Sequence, residues 1–120
     1  MSNTDKFKYS SQMKQYFGEY IRNLRTEKGL TLTQLGAKLD LDSANLSKIE
    51  NGKREFDEKR LELLASVFGL DIEHLKTEFF SELFAKKIYE ANCSTEVLSV
   101  AEEKVRYYRE KNVKQGKLKL

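Results

Sequence analysis

The sequence predicts an all-α protein, and three observations carry that prediction. It has no proline and only six glycines in 120 residues, so little interrupts helix formation. Apolar residues recur at steps of three and four along most of its length. Each apolar stretch opens on a residue that can cap a helix, or closes on a glycine or asparagine that can end one.

The elements follow in order. Residues 1–12 are polar and are expected to form a loose N-terminus. Phe17, Tyr20, Ile21 and Leu24 then define a first helix, which Gly29 closes. Thr31-Leu-Thr-Gln34 is a capping box and opens a second helix carrying Leu32, Leu35 and Leu39. Asp40 occupies the following turn, where a left-handed residue is needed and Asp is among the better substitutes for glycine. Asp42 caps a third helix that runs to about Glu50, with Leu46 and Ile49 inward, and Asn51-Gly52 stops it. Asp57 is expected to cap a fourth helix striped by Leu61, Leu64, Ala65 and Phe68 and ended by Gly69. Asp71 caps a fifth with Ile72, Leu75, Phe79, Leu83 and Phe84. Asn92-Cys93-Ser94 breaks it. Ser94 opens a sixth helix with Leu98, Ala101, Val105 and Tyr108 on one face, and NVKQGKLKL reads as a basic, fraying tail. There is no internal repeat.

Composition narrows the function. The chain suffices for one compact domain, or one small domain with an appendage. Its formal net charge is +3 and its isoelectric point about 8.9, mildly basic and compatible with DNA binding. From Met1 to Gly69 there are 12 basic and 10 acidic residues, and from Leu70 onward 10 and 9. Any DNA affinity must therefore come from where the charges sit. Cys93 is the single cysteine, which leaves no internal disulfide or cysteine metal cluster; it is expected to be a partly buried structural thiol. His74 has no cysteine or second histidine near it in sequence, so no metal site is expected. No cofactor motif and no nucleophile–base pair is present, which argues against an enzyme. No apolar run reaches membrane-spanning length and the start lacks a signal-peptide segment; the expectation is a soluble, cytoplasmic protein without a membrane partner.

The run LRTEKGLTLTQLGAKL, followed by LSKIENGKR and LELLASVFGLDIEHL, between Leu24 and Leu75, closely resembles the XRE, or Cro/C1 phage-repressor-like, helix-turn-helix family. The resemblance covers about half of the chain. It implies a five-helix lambda-repressor-like domain, here over residues 13–90, that binds double-stranded DNA, usually as a dimer on a palindromic operator. Residues 91–120 would then be an added C-terminal helix and tail that serve dimerisation.

Such a fold lays the third helix in the major groove. Ser43, Ala44, Asn45 and Lys48 are its candidate base-contacting residues. Lys48 can donate to guanine O6 and N7, Asn45 can pair with adenine, and Ala44 offers only a methyl group. Direct readout is thus sparse, and DNA shape is expected to carry a share of the specificity. Thr31, Thr33, Ser47, Asn51, Lys53 and Arg54 are the candidate backbone contacts. Leu32 stands where the family often has a phosphate-binding Gln, which leaves Thr33 to replace that contact. Arg25 and Glu50 match a family ion pair tying the first helix to the end of the third.

Phe79, Leu83, Leu98, Ala101, Val105 and Tyr108 are expected to form a homodimer interface, and Glu102 to pair with Arg106 on the wet side of the last helix. The aromatic residues Phe79, Phe80, Phe84, Tyr89, Tyr107 and Tyr108 are assigned to core or subunit interface rather than to a ligand pocket. Two functions remain in view: a dimeric repressor or autoregulator of the phage-repressor or restriction-modification-controller kind, and an antitoxin-type protein whose C-terminal helices bind a partner protein.

Overall fold

The computed structural model describes residues 16–115, with side chains through residue 112. The expected loose N-terminus over 1–12 and the end of the tail lie outside the described residues. Among the described residues six α-helices and one 3-10 turn follow one another: α1 Phe17–Glu27, α2 Leu32–Leu39, α3 Ser43–Glu50, the turn Glu58–Arg60, α4 Leu61–Phe68, α5 Ile72–Ala91 and α6 Glu96–Gln115. The chain divides into two compact units, one ending at Leu83 and the next beginning at Phe84. The boundary falls inside α5.

Local chemistry places the boundaries of α1 to α4. The Glu19 carboxylate accepts the N–H of Tyr16 at 3.4 Å, and Glu82 Oε1 accepts that of Phe17 at 2.6 Å, so two of the first free amides of α1 are satisfied. Gly29, at φ +73°, reverses the chain and lets the Leu30 N–H reach the Arg25 carbonyl at 3.0 Å. The capping box of α2 is complete: Gln34 N–H donates to Thr31 Oγ1 at 3.0 Å, and Thr31 N–H to Gln34 Oε1 at 2.9 Å. Asp40 adopts φ 57° and the Leu41 N–H returns to the Gly36 carbonyl at 2.8 Å. Asp42 Oδ1 then accepts the Asn45 N–H at 2.7 Å and opens α3. Asp57 differs from expectation. Its carboxylate accepts the N–H of Lys59 and caps the short 3-10 turn rather than α4 itself; the chain needs that extra turn before Leu61 faces the core.

Two long cations seal helix ends that the sequence left open. Arg60 donates from Nε to the Leu39 carbonyl at 2.8 Å and from Nη2 to the Asp40 carbonyl at 3.0 Å, while Asp57 holds its Nη1 at 2.8 Å. A cation thus sits on the C-terminus of α2, the end that favours positive charge. Lys28 does the same for α4, donating to the Val67 carbonyl at 2.8 Å and lying over the Phe68 ring.

The core of the first unit centres on Ile21, Leu35, Leu39, Leu46, Leu64 and Leu75, all fully buried. Their source is the period of each helix: Leu35 and Leu39 lie one turn apart on α2, and Leu46 and Ile49 lie three apart on α3. Phe17 stacks against Phe56 and meets Phe79 edge-on at 5.4 Å, closing the core around the start of α1. Gly18 lets α1 approach α3 closely. A β-carbon there would lie 2.0 Å from the Ile49 carbonyl oxygen. The Glu50 and Glu78 carboxylates are both buried in this interior, and Glu78 is the less well partnered. It is buried, its Oε1 has no hydrogen-bond partner among the described residues, and burial raises its carboxyl above the ordinary range, with His74 opposing and Glu82 adding to the rise.

In the second unit, Asn92 takes φ 56° and turns the chain, and Ser94 Oγ accepts the Glu96 N–H at the start of α6. Cys93 sits in this turn and is exposed, which corrects the expectation of a partly buried thiol; a four-residue connection has nothing of its own to fold over it. Leu98, Ala101, Val105 and Tyr108 do share one face of α6, and all four are exposed. Arg106 Nη2 lies 3.9 Å from Glu102.

Candidate nucleic-acid interface

Helix α3 is held from below and bare above. Leu46, Ile49 and Glu50 are buried, whereas Ser43, Ala44 and Lys48 are exposed along its outer side. Ser47 is half-buried between them. Asn45 is half-buried too, and its side-chain Nδ2 donates to Asp42 Oδ2 at 3.2 Å. That bond uses part of the amide that adenine recognition needs, which leaves the exposed Ser43 hydroxyl and Lys48 ammonium as the outward donors of α3 without a bond among the described residues.

The expected backbone contacts flank this helix. Thr31 and Thr33 are exposed at the start of α2, where unpaired amides and the positive end of the helix dipole favour an anion. Leu32 is half-buried and packs against the core. The apolar side chain has turned inward, which explains how the position dispenses with an amide. Beyond α3, Gly52 at φ +75° and the Lys53 N–H to Lys48 carbonyl bond of 2.8 Å make a tight exit. Lys53 and Arg54 project exposed from it.

Arg25 and Glu50 join α1 to α3. Arg25 donates from Nε to Glu50 Oε2 at 2.7 Å and from Nη2 to Oε1 at 2.9 Å, a bidentate fork. Its Nη1 bonds the Leu30 carbonyl at 2.9 Å, so the same guanidinium also ties down the entry to α2. The hydrogen bonds to Glu50 hold the Arg25 guanidinium above its ordinary value, outweighing the opposing effect of burial. The Glu50 side chain is only 2% exposed.

Arg22 is the member the sequence reading omitted. It donates from Nε to Glu50 Oε1 at 3.5 Å and from Nη2 to Asn51 Oδ1. One signal was available: Arg22 and Arg25 are three apart on one helix, so both face the same neighbour. Asn51 completes the network by donating from Nδ2 to the Ser47 carbonyl at 2.9 Å.

Phe79, assigned from the sequence to core or subunit interface, is packed against Phe17 and Phe80. Its ring is used there, because α5 turns that face toward α1. Leu83 is half-buried, while Leu98, Ala101, Val105 and Tyr108 stay uncovered. Among the described residues no group of His, Cys, Asp and Glu side chains could hold a metal, and no helix is long and apolar enough to cross a membrane.

This arrangement has relatives. The helix-turn-helix family profile matches residues 21–75, the span from α1 to the first turn of α5. The HTH-type transcriptional repressor RghR of Bacillus subtilis (strain 168) is 32% identical over 98 residues, which cover 81% of this chain and 70% of that protein. The chain belongs to the XRE-type helix-turn-helix family. The uncharacterized HTH-type transcriptional regulator RghRB of the same organism is 40% identical over 60 residues, 49% of this chain and 43% of the relative. The control protein C.MunI of Mycoplasma sp is 34% identical over 67 residues, 55% of this chain and 90% of the relative. No solved structure matches. Both α2 and α3 lie within the matched span.

Proposed function

We propose that this DNA-binding transcriptional regulator is a dimeric, sequence-specific repressor or autoregulator that acts in the cytoplasm. The carrying observation is the outward row of Ser43, Ala44 and Lys48 on a helix whose opposite side is locked into the core. A rigid helix with a bare, basic-tipped side can enter a major groove without rearrangement. Lys48 reads guanine through O6 and N7, Ala44 offers a methyl contact to thymine, and Ser43 accepts either partner. Thr31, Thr33, Ser47, Lys53 and Arg54 hold the sugar–phosphate backbone on both sides. So few base contacts leave part of the specificity to the deformability of the site.

One such reader binds weakly, and a second copy supplies the rest. Support for a dimer comes from α6, where Val97, Leu98, Val100, Val105, Tyr107 and Tyr108 are each between 38% and 56% exposed. An apolar face of this kind needs covering, and a second copy covers it while bringing a second recognition helix to an adjacent half-site. Dimerisation coupled to binding gives a steep response to protein concentration without a ligand. RghR is named as a repressor and C.MunI as a control protein, which supports regulation over toxin neutralisation as the task of the C-terminal helices.

The test is selection of bound duplexes from a random pool, followed by footprinting at the promoter of the protein's own gene. The expected site is a palindrome with half-sites about 34–36 Å apart or a multiple of it. A monomer in sedimentation at tens of micromolar, bound to a single half-site, refutes the dimer.

A further inference from the structure

Asn51 follows the recognition helix and is the obvious phosphate ligand at that end. Its hydrogen bonds say otherwise. Phosphate oxygens only accept, so Oδ1 of the carboxamide cannot bind them; it already accepts from Arg22 Nη2. The two N–H groups on Nδ2 face Ser47, with the carbonyl oxygen at 2.9 Å and Oγ at 3.4 Å. The Asn51 side chain is therefore spent within its own fold.

Arg22 has what Asn51 lacks. A guanidinium carries five N–H donors, and among the described residues Arg22 commits two, one to Glu50 and one to Asn51. Its side chain is 42% exposed, against 15% for Arg25. Arg25 is also the arginine that neutralises Glu50, through two short bonds at 2.7 and 2.9 Å, whereas Arg22 reaches the same carboxylate only at 3.5 Å. The surplus positive charge at the end of α3 thus belongs to Arg22. Glu50 and Asn51 grip two sides of its planar head, which limits the freedom it loses on binding.

We propose that Arg22 supplies the phosphate contact at the C-terminal end of the recognition helix, and that Asn51 is a positioning residue that aims it. The proposal rests on the DNA-binding reading above. Arg22 lies on α1, outside the helix-turn-helix, and brings a third element of the first unit to the DNA backbone.

The experiment measures dissociation constants by fluorescence anisotropy on a labelled duplex carrying the selected site, between about 50 and 300 mM KCl. The proteins are the full chain and its Arg22→Ala, Arg22→Gln, Arg22→Lys and Asn51→Ala variants. Arg22→Ala and Arg22→Gln should each weaken binding about tenfold or more at low salt. Both should also reduce the slope of log K against log salt by about 0.9 per bound protomer. Arg22→Gln can still bond Asn51, so it reports on charge even if the alanine variant is unstable. Arg22→Lys should keep the slope and lose part of the affinity, because the charge survives but the fork does not. Asn51→Ala should lose affinity with an unchanged slope, and should lose no more when introduced into Arg22→Ala, the mark of a residue that acts through Arg22.

An unchanged slope in Arg22→Ala and Arg22→Gln, with binding retained, overturns the proposal and leaves the DNA-binding reading standing. Weakened binding in Asn51→Ala, with Arg22→Ala and Arg22→Gln binding as tightly as the unaltered chain, returns the contact to Asn51 and equally overturns it. Failure of the unaltered chain to bind any duplex overturns both.

Discussion

Removal of the Glu50 carboxylate is the most direct probe of how α3 is held. In Glu50→Ala the Arg25 guanidinium loses two bonds, at 2.7 and 2.9 Å, and keeps only the one to the Leu30 carbonyl. A hydrogen bond to a charged group contributes roughly 1.5–3 kcal/mol, so the pair sets a ceiling near 3–6 kcal/mol. The third bond, from Arg22 at 3.5 Å, adds little. Arg25 retains 15% side-chain exposure, so water reaches part of the stranded charge, and the lower end, about 3 kcal/mol, is the better value. In a domain of this size each kcal/mol lowers Tm by about 4–8 °C, which gives a fall of roughly 12–24 °C. Thermal melting followed by far-ultraviolet circular dichroism measures it, with urea unfolding as the second probe. A fall of less than about 4 °C, equivalent to 1 kcal/mol or less, refutes the claim that this pair anchors the recognition helix. Joint replacement Arg25→Met/Glu50→Leu should recover most of the loss, since an apolar pair strands no charge.

Three further perturbations test other parts of the molecule. Gly18→Ala places a β-carbon 2.0 Å from the Ile49 carbonyl oxygen; backbone cannot rotate away, so a loss of about 1–3 kcal/mol or more in urea unfolding is expected, and an unchanged midpoint contradicts the close approach of α1 and α3. Glu78→Gln should raise Tm at neutral pH. Burial raises the folded carboxyl of Glu78, so its stabilising protonated form prevails below the unfolded value of about 4.3 and that stability is lost as pH rises through the folded one; the gain from Gln should shrink in melts near pH 4, and a glutamine variant less stable at neutral pH counts against it. Lys48→Ala should relax base preference at one position of the selected site at a cost of about 1–3 kcal/mol, while Lys53→Ala should weaken all sequences alike and flatten the salt dependence.

Most of the fold was legible because its signals are local. A capping box, an apolar residue every three or four positions and a glycine beyond the last turn act within a few residues of one another. Thr31 with Gln34, Asp42 with Asn45 and Gly69 after Phe68 therefore behave as read. The errors share an opposite cause. Asp57 has the chemistry of a cap, but how the chain enters α4 was set by where Leu61 had to point. Cys93 differs in burial from expectation because burial depends on what lies across from a residue, not on its neighbours in sequence.

The candidate site divides in the same way. Which residues line the outer side of α3 follows from helical period alone, and Ser43, Ala44 and Lys48 are exposed where that period puts them. Which of the polar side chains remain free to bind does not follow from it. Asn45 is tied to Asp42, Asn51 to Ser47 and Arg22, and Arg60 to carbonyls about twenty residues earlier in the chain.

By itself, then, the sequence determined that this chain is helical, where most helices start and stop, and that a helix-turn-helix unit lies between Thr31 and Glu50; caps and apolar periods need only short-range partners to act. Only the tertiary structure decided that Glu50 is shared by Arg22 and Arg25, that a glycine in α1 seats the recognition helix, and which donors are left over. A side chain's hydrogen bonds are exhausted by whatever folding brings within about 3 Å, and folding brings those partners from other helices.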